Sequence, residues 1–173
     1  MFSGGTLITS PGFSNLDYAS QDTPEKLPAL GDKAYFDGVE HTFVQVHTAC
    51  VNDVIAANEV LYRTATSWVV TNDTSEGLSN SVNNYCGIAP QLTASVPEST
   101  SALKYYMWMA TYGDQVKVKT NGDDDISAGD LIIAAQDGTC NSAASPGPAE
   151  YIGVAAAADV DASNTVLVNL RPV

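Results

Sequence analysis

His41 and His47, with Cys50 three residues further on, are the side chains of this sequence best equipped for chemistry. A thiol beside an imidazole can lose its proton and attack as a thiolate. A pair of imidazoles can hold a metal, provided they converge. On one face of an extended strand His41 and His47 stand about 20 Å apart, too far to share an ion. The chain has two histidines in all, which rules out a three-histidine zinc centre. On a half-exposed strand both read as ordinary surface residues. The Cys50/His47 pair has no evident oxyanion donor or orienting group nearby in sequence. Asp123-Asp124-Asp125, after Asn121-Gly122, has the acidity of a calcium loop. It lacks the alternating acids, the following glycine and the distant glutamate of an EF-hand, and reads as a solvated turn. Nucleophile elbow, dinucleotide fingerprint and P-loop are absent. Asn72-Asp73-Thr74 matches a glycosylation sequon by chance. The expectation is a protein with no catalytic residue, no cofactor and no metal.

The aromatic run around residue 108 offers a different kind of site. Strict alternation puts Tyr106, Trp108 and Tyr112 on one strand face, and Tyr105, Met107 and Met109 on the other. One face must be core. The other is a single candidate platform, for a subunit interface or for stacking on sugar rings.

The elements that position these residues are strands. Asp37-Gly38 is a strong hairpin turn between Ala34-Tyr35-Phe36 and the strand Val39–His47. Residues 48–59 allow a weak helix at most. Val60–Tyr62, Ser67–Thr71, Tyr85–Ala89, Tyr151–Ala155 and Thr165–Leu170 read as strands. Between residues 105 and 137, turns at Gly113-Asp114 and Asn121–Asp125 predict a meander of three short strands. Turn signals at these intervals predict an all-β chain, a small barrel or sandwich of about ten short strands.

Residues 1–29 differ, with three prolines, many small polar residues and little periodicity. Yet Phe2, Leu7, Ile8, Phe13, Leu16 and Tyr18 are more apolar side chains than a solvated tail carries. The expectation is an extended N-terminal arm that docks on a partner, followed by one β-domain over residues 30–173.

Charge narrows the partners. Seven Lys and Arg stand against twenty Asp and Glu, a net −13. That argues against nucleic acid and against anionic membrane surfaces. No apolar run reaches about 18 residues, and the N-terminus lacks the basic and apolar regions of a secretory leader. Three widely spaced cysteines, with no CxxC, point to reduced thiols made in a reducing cytoplasm, leaving Cys86 with Cys140 as one pair that can form.

Four segments carry a family resemblance: LGDKAYFDGVEHTFVQV, YYMWMATYGDQVKVKTNG, ISAGDLIIAAQDG and YIGVAAAADVDASNTVLVNLRP. In this order they resemble the decoration (cement) proteins of tailed-bacteriophage capsids, over roughly residues 30–173. The resemblance implies a structural virion protein, made in the bacterial host cytoplasm, that binds the outside of an icosahedral shell without catalysis. Its implied partners are the major capsid protein and copies of itself, a trimer before a dimer. The arm would then clasp a neighbouring subunit. The alternative is a secreted or surface carbohydrate-binding β-module using the Tyr106, Trp108 and Tyr112 platform.

Overall fold

The Asp37-Gly38 turn forms as its residue types dictate. Asp37 (φ 51°) and Gly38 (φ 80°) both lie in the left-handed region, the geometry of a two-residue turn whose twist suits the strands it joins. Across it β1 (Lys33–Phe36) pairs antiparallel with β2 (Val39–Val46), setting Lys33 opposite Thr42 and Tyr35 opposite Glu40. The structure is a computed structural model that describes residues 28–77, 84–90, 95–101, 103–122, 125–144, 151–158 and 164–171. The arm residues Phe2, Leu7, Ile8, Phe13, Leu16 and Tyr18, together with Asp123 and Asp124, lie outside these.

The chain is all-β. After β2 a short 3-10 turn at Val51–Asp53 replaces the weak helix expected there. Asn52 and Asp53 take positive φ (55° and 62°) and no α-helix forms, in keeping with the poor helix propensity of valine and asparagine. The later strands are β3 (Val54–Ile55), β4 (Val60–Arg63), β5 (Val69–Thr71), β6 (Tyr85–Ile88), β7 (Val96–Pro97), β8 (Tyr106–Lys119), β9 (Leu131–Ala134), β10 (Cys140–Ser142), β11 (Tyr151–Ala155) and β12 (Thr165–Leu170).

Ten of the strands form one sheet that closes into a ring through β2 and β8, and whose far end curls back to a single bridge beside β8. Strands β2, β5, β4, β6 and β8 are neighbours in that order, and the pairing of β2 with β8 makes them a closed five-stranded barrel. The sheet continues from β8 through β12, β11 and β9 to β10. A bridge between Thr120, just past β8, and Cys140 of β10 brings this second set round to its start. Directions cannot alternate all the way round a ring of five, so each ring needs a parallel contact. The first has it between β2 and β5, the second in the Thr120–Cys140 bridge.

Strand β8 is the wall common to both rings. Residues 106–112 pair with β2 and residues 113–119 with β12. The three-strand meander expected from the sequence is therefore not formed. Gly113-Asp114 does not reverse the chain, and β9 pairs with β10 and β11 rather than with β8. The glycine is used for a bend instead: Gly113 has φ 150°, and a Cβ there would come within 2.9 Å of Val39 Cα. Gln115 (φ 56°) completes the bend and donates its backbone N–H to Asn169 Oδ1 at 3.0 Å.

Two apolar clusters fill the rings. Inside the first lie Val44, Val46, Leu61, Val70, Cys86, Met107 and Met109. The second joins Val116, Val118, Ile132, Ile152, Val166, Val168 and Leu170 to the outward-facing Val60, Tyr62, Tyr85 and Ile88 of the first ring. Strand β4 is thus buried on both faces, which is why Val60-Leu61-Tyr62 is an unbroken apolar run. The Tyr62 hydroxyl donates to the Ala135 carbonyl across the joint.

A buried carboxylate ties the joint together. Glu59, 5% exposed, sits between β3 and β4. Its Oε1 accepts from Lys119 Nζ at the end of β8 (2.8 Å), and its Oε2 from Asn72 Nδ2 (2.7 Å) and the Ala56 N–H (2.9 Å). Asn72 also donates to the Val54 carbonyl and accepts from the Val51 N–H, so this buried sequon asparagine is a structural strut. Replacing Glu59 by Ala leaves the Asn72 and Ala56 donors without this acceptor, while the partly exposed Lys119 turns to water, and is expected to cost about 3 kcal/mol. Glu59→Gln keeps an acceptor and loses the ion pair, and is expected to cost less. Urea denaturation of the two variants checks the order.

Candidate functional site

Alternation along the strands sends one set of side chains to the end of the first ring where it opens. Lys33 and Tyr35 come from β1, Glu40 and Thr42 from β2, Arg63 from β4, and Thr111 and Tyr112 from β8. Trp68 sits just before β5. They surround a concavity of about 730 Å³, beneath which lie the core side chains Val44, Val70, Cys86 and Met109. Tyr35, Trp68 and Tyr112 are 72%, 48% and 45% exposed.

The polar side of this mouth is fixed by Glu40. Its Oε1 accepts from Lys33 Nζ (2.8 Å) and Thr111 Oγ1 (3.1 Å), and its Oε2 from the Tyr35 hydroxyl (2.6 Å). Hydrogen bonds from Lys33 and Tyr35 hold the Glu40 carboxyl below the usual carboxylate range. The same bonds raise Lys33 and Tyr35. Arg63 makes no ion pair among the described residues.

The aromatic platform expected from strict alternation is divided. Trp108 is 6% exposed, and Tyr106 is half-buried; both pack on Phe43, with ring centroids 5.2 and 5.8 Å apart respectively. Tyr112 lies elsewhere, because the register slips. Glu40 pairs with Tyr112 but His41 with Ala110, so Thr111 is an extra residue on β8. Such a bulge shifts the facing of the residues beyond it, and Tyr112 turns to the mouth beside Tyr35. No pattern in the sequence marks the bulge. The Lys33/Tyr35 and Glu40/Thr42 pairs across the first hairpin were the signal available.

The other candidates are brought to structural places. His41 is not the surface residue expected but 4% exposed, because both faces of β2 are covered; its Nδ1 lies 3.1 Å from the Val39 carbonyl. His47 Nδ1 is turned to the backbone of Ala49. Cys50 meets Thr71 Oγ1 at 3.9 Å, and burial pushes its thiol up to about 11, away from the thiolate that nucleophilic attack needs. Cys86, pushed up to about 12 by burial, and Cys140 belong to different apolar clusters, and none of the three cysteines forms a disulfide. Among the described residues no three His, Cys, Asp or Glu side chains are placed to hold a metal, and no helix is long and apolar enough to cross a membrane.

No protein-family profile matches this chain, and no curated protein shows detectable similarity to it.

Burial makes His41 a source of pH dependence. Desolvation lowers its pKa from 6.5 to about 4. Between those values the unfolded chain binds the extra proton and the folded one does not. Stability is therefore full above pH 6.5 and falls as the pH drops toward 4, by about 1.4 kcal/mol per pH unit at most. Denaturant midpoints measured across this window should show that slope, and His41→Gln should remove it. Glu40, with its lowered pKa, contributes stability that is lost only at lower pH.

Proposed function

We propose that this protein is a structural component of a tailed-bacteriophage virion. It binds the outside of the icosahedral shell and stabilises it, with no catalytic step. Its partners are the major capsid protein and further copies of itself, a trimer before a dimer, and it is made in the host cytoplasm before joining the capsid.

One observation carries this reading. The four segments that resemble decoration proteins contain β1 and β2, then β8, then β9, then β11 and β12. In the sheet these strands are neighbours, running β1-β2-β8-β12-β11-β9 without a gap. A resemblance scattered over unrelated surface turns would have no such continuity. The remaining strands of the first ring, β4, β5 and β6, complete it behind that ribbon.

The physical requirements of a cement protein support it. Such a protein needs a rigid body, and a sheet closed into rings leaves few free edges for unwanted pairing. It needs to remain apart from its own kind until the shell provides a template, and a net charge of −13 favours that. The carbohydrate-module reading, in the form that used Tyr106, Trp108 and Tyr112, loses its platform to the burial of Trp108.

The proposed arm provides the test. In co-sedimentation with empty capsids built from the major capsid protein of the same genome, the full chain is expected to pellet with the shells. A chain beginning at Leu30 is expected to keep its melting temperature and to bind at least about tenfold more weakly, since symmetry multiplies each modest arm contact. A full chain that stays in the supernatant overturns the capsid reading. Equal binding by the truncated chain overturns the arm's part in it.

A further inference from the structure

The capsid reading rests on the proposed arm and the β-ribbon, and gives the open end of the first ring no part. Three large aromatic side chains stand in water around one concavity. Among the described residues none of the three rings stacks on another ring. Each therefore keeps exposed ring surface.

Trp68 is the most constrained of them. Its φ of 61° is one that a bulky side chain rarely adopts, and such strain persists only where the surroundings impose it. Here they do. The Trp68 carbonyl accepts from the Gln45 N–H (2.9 Å), and the Val69 N–H donates to the Thr66 carbonyl (3.2 Å). The Thr64 N–H and hydroxyl both donate to the Val69 carbonyl (3.2 and 3.0 Å). The indole lies against Gly31, where a Cβ would come within 2.6 Å of Trp68 Cε2. Trp68 is held in place before any ligand arrives, so little ordering cost remains for binding.

The polar groups of the mouth are not equally matched. Lys33 is committed to Glu40, whose carboxylate is held by three side chains. Arg63 is then the one cation at this mouth without an ion-pair partner among the described residues. A guanidinium is shaped to take a carboxylate with two parallel hydrogen bonds. Thr66 and Ser67 add exposed hydroxyls at the rim.

We propose that the mouth of the first ring is a saccharide-binding site that favours sugars carrying a carboxylate. A sugar ring has an apolar C–H face for Trp68 and the tyrosines, and hydroxyls for the polar groups. A wholly apolar ligand would strip water from Arg63 and Glu40 without replacing it. A polyphosphate or nucleic acid would meet a strongly acidic protein through one cation that lacks an ion-pair partner among the described residues. The acidic sugar satisfies the aromatic faces, the hydroxyl-bearing rim and Arg63 together.

The test uses the full chain, isothermal calorimetry and the fluorescence of Trp68, the exposed tryptophan. The probes are tetragalacturonate, an alginate tetramer and a hyaluronan tetramer, against maltotetraose and cellotetraose as neutral controls. At least one uronate oligosaccharide is expected to bind at least fivefold more tightly than either neutral one. Trp68→Ala, and separately Tyr112→Ala, are expected to weaken that binding at least tenfold with an unchanged far-UV spectrum. Arg63→Gln is expected to erase the preference for the acidic sugar while leaving the neutral affinity as it was. The proposal is overturned if no uronate binds below about 10 mM, if neutral sugars bind as well, or if binding ignores Trp68. It is also overturned if the aromatic variants instead change the oligomeric state in sedimentation, since the mouth is then a contact between copies. Capsid co-sedimentation of Trp68→Ala is expected to match the unaltered chain, so either reading can fail without the other.

Discussion

Strand β8 gives the first half of its length to one closed ring and the second half to another, and the fold depends on that sharing. A five-stranded ring built alone from so short a chain would enclose few side chains and expose a broad apolar outer wall. Here the outer wall of the first ring, Val60, Tyr62, Tyr85 and Ile88, is covered by the interior of the second. Burial on both sides of β4 supplies the stabilisation that neither ring would reach separately. The bend at Gly113 to Gln115 is the consequence. One strand can serve two rings only if its direction changes where it passes from one to the other, and the glycine lets Val39 approach at that point.

The same sharing explains why a charged pair is tolerated at the joint. Glu59, Asn72 and Lys119 come from three places in the chain that meet only when both rings have closed. An apolar cluster at that point would be satisfied by many arrangements. A carboxylate with three particular donors is satisfied by one, and any slip of β8 against β4 would leave it buried without partners. Gly138 fits into this arrangement because a side chain there would meet Glu59 and Asn72 at about 3.3 Å.

Local patterns were legible in the sequence and long-range pairings were not. The Asp37-Gly38 hairpin, Tyr151–Ala155 and Thr165–Leu170 announce themselves through turn chemistry and alternation of β-branched residues, and form where expected. The all-β class follows from the same signals. The meander between 105 and 137 failed for an instructive reason. Gly113-Asp114 has the composition of a turn, but the neighbours of β8 are β2 and β12, both far from it along the chain. Partner choice across such distances is set by which faces must be buried, and local sequence carries little of that. The mouth was hidden for the same reason. Tyr35, Trp68 and Tyr112 are far apart in the chain, and the residue that turns Tyr112 toward the others is a bulge no pattern marks.

The separation of the joint from the mouth bears on how the molecule can hold strain. A tryptophan at positive φ costs the folded state something, and a marginal structure would relax it. In this fold the strained residue stands at one end of the first ring. The buried Glu59 carboxylate, its partly exposed partner Lys119 and the shared core lie at the joint with the second ring. The tip can therefore keep an unfavourable backbone conformation, because unfolding the Thr64 to Val69 loop alone would also break the Gln45 contact that anchors it to β2. A rigid double ring thus presents an exposed aromatic in a fixed pose, which a lone hairpin could not do. The sharing of β8 that closes the fold is also what lets its open end be specific.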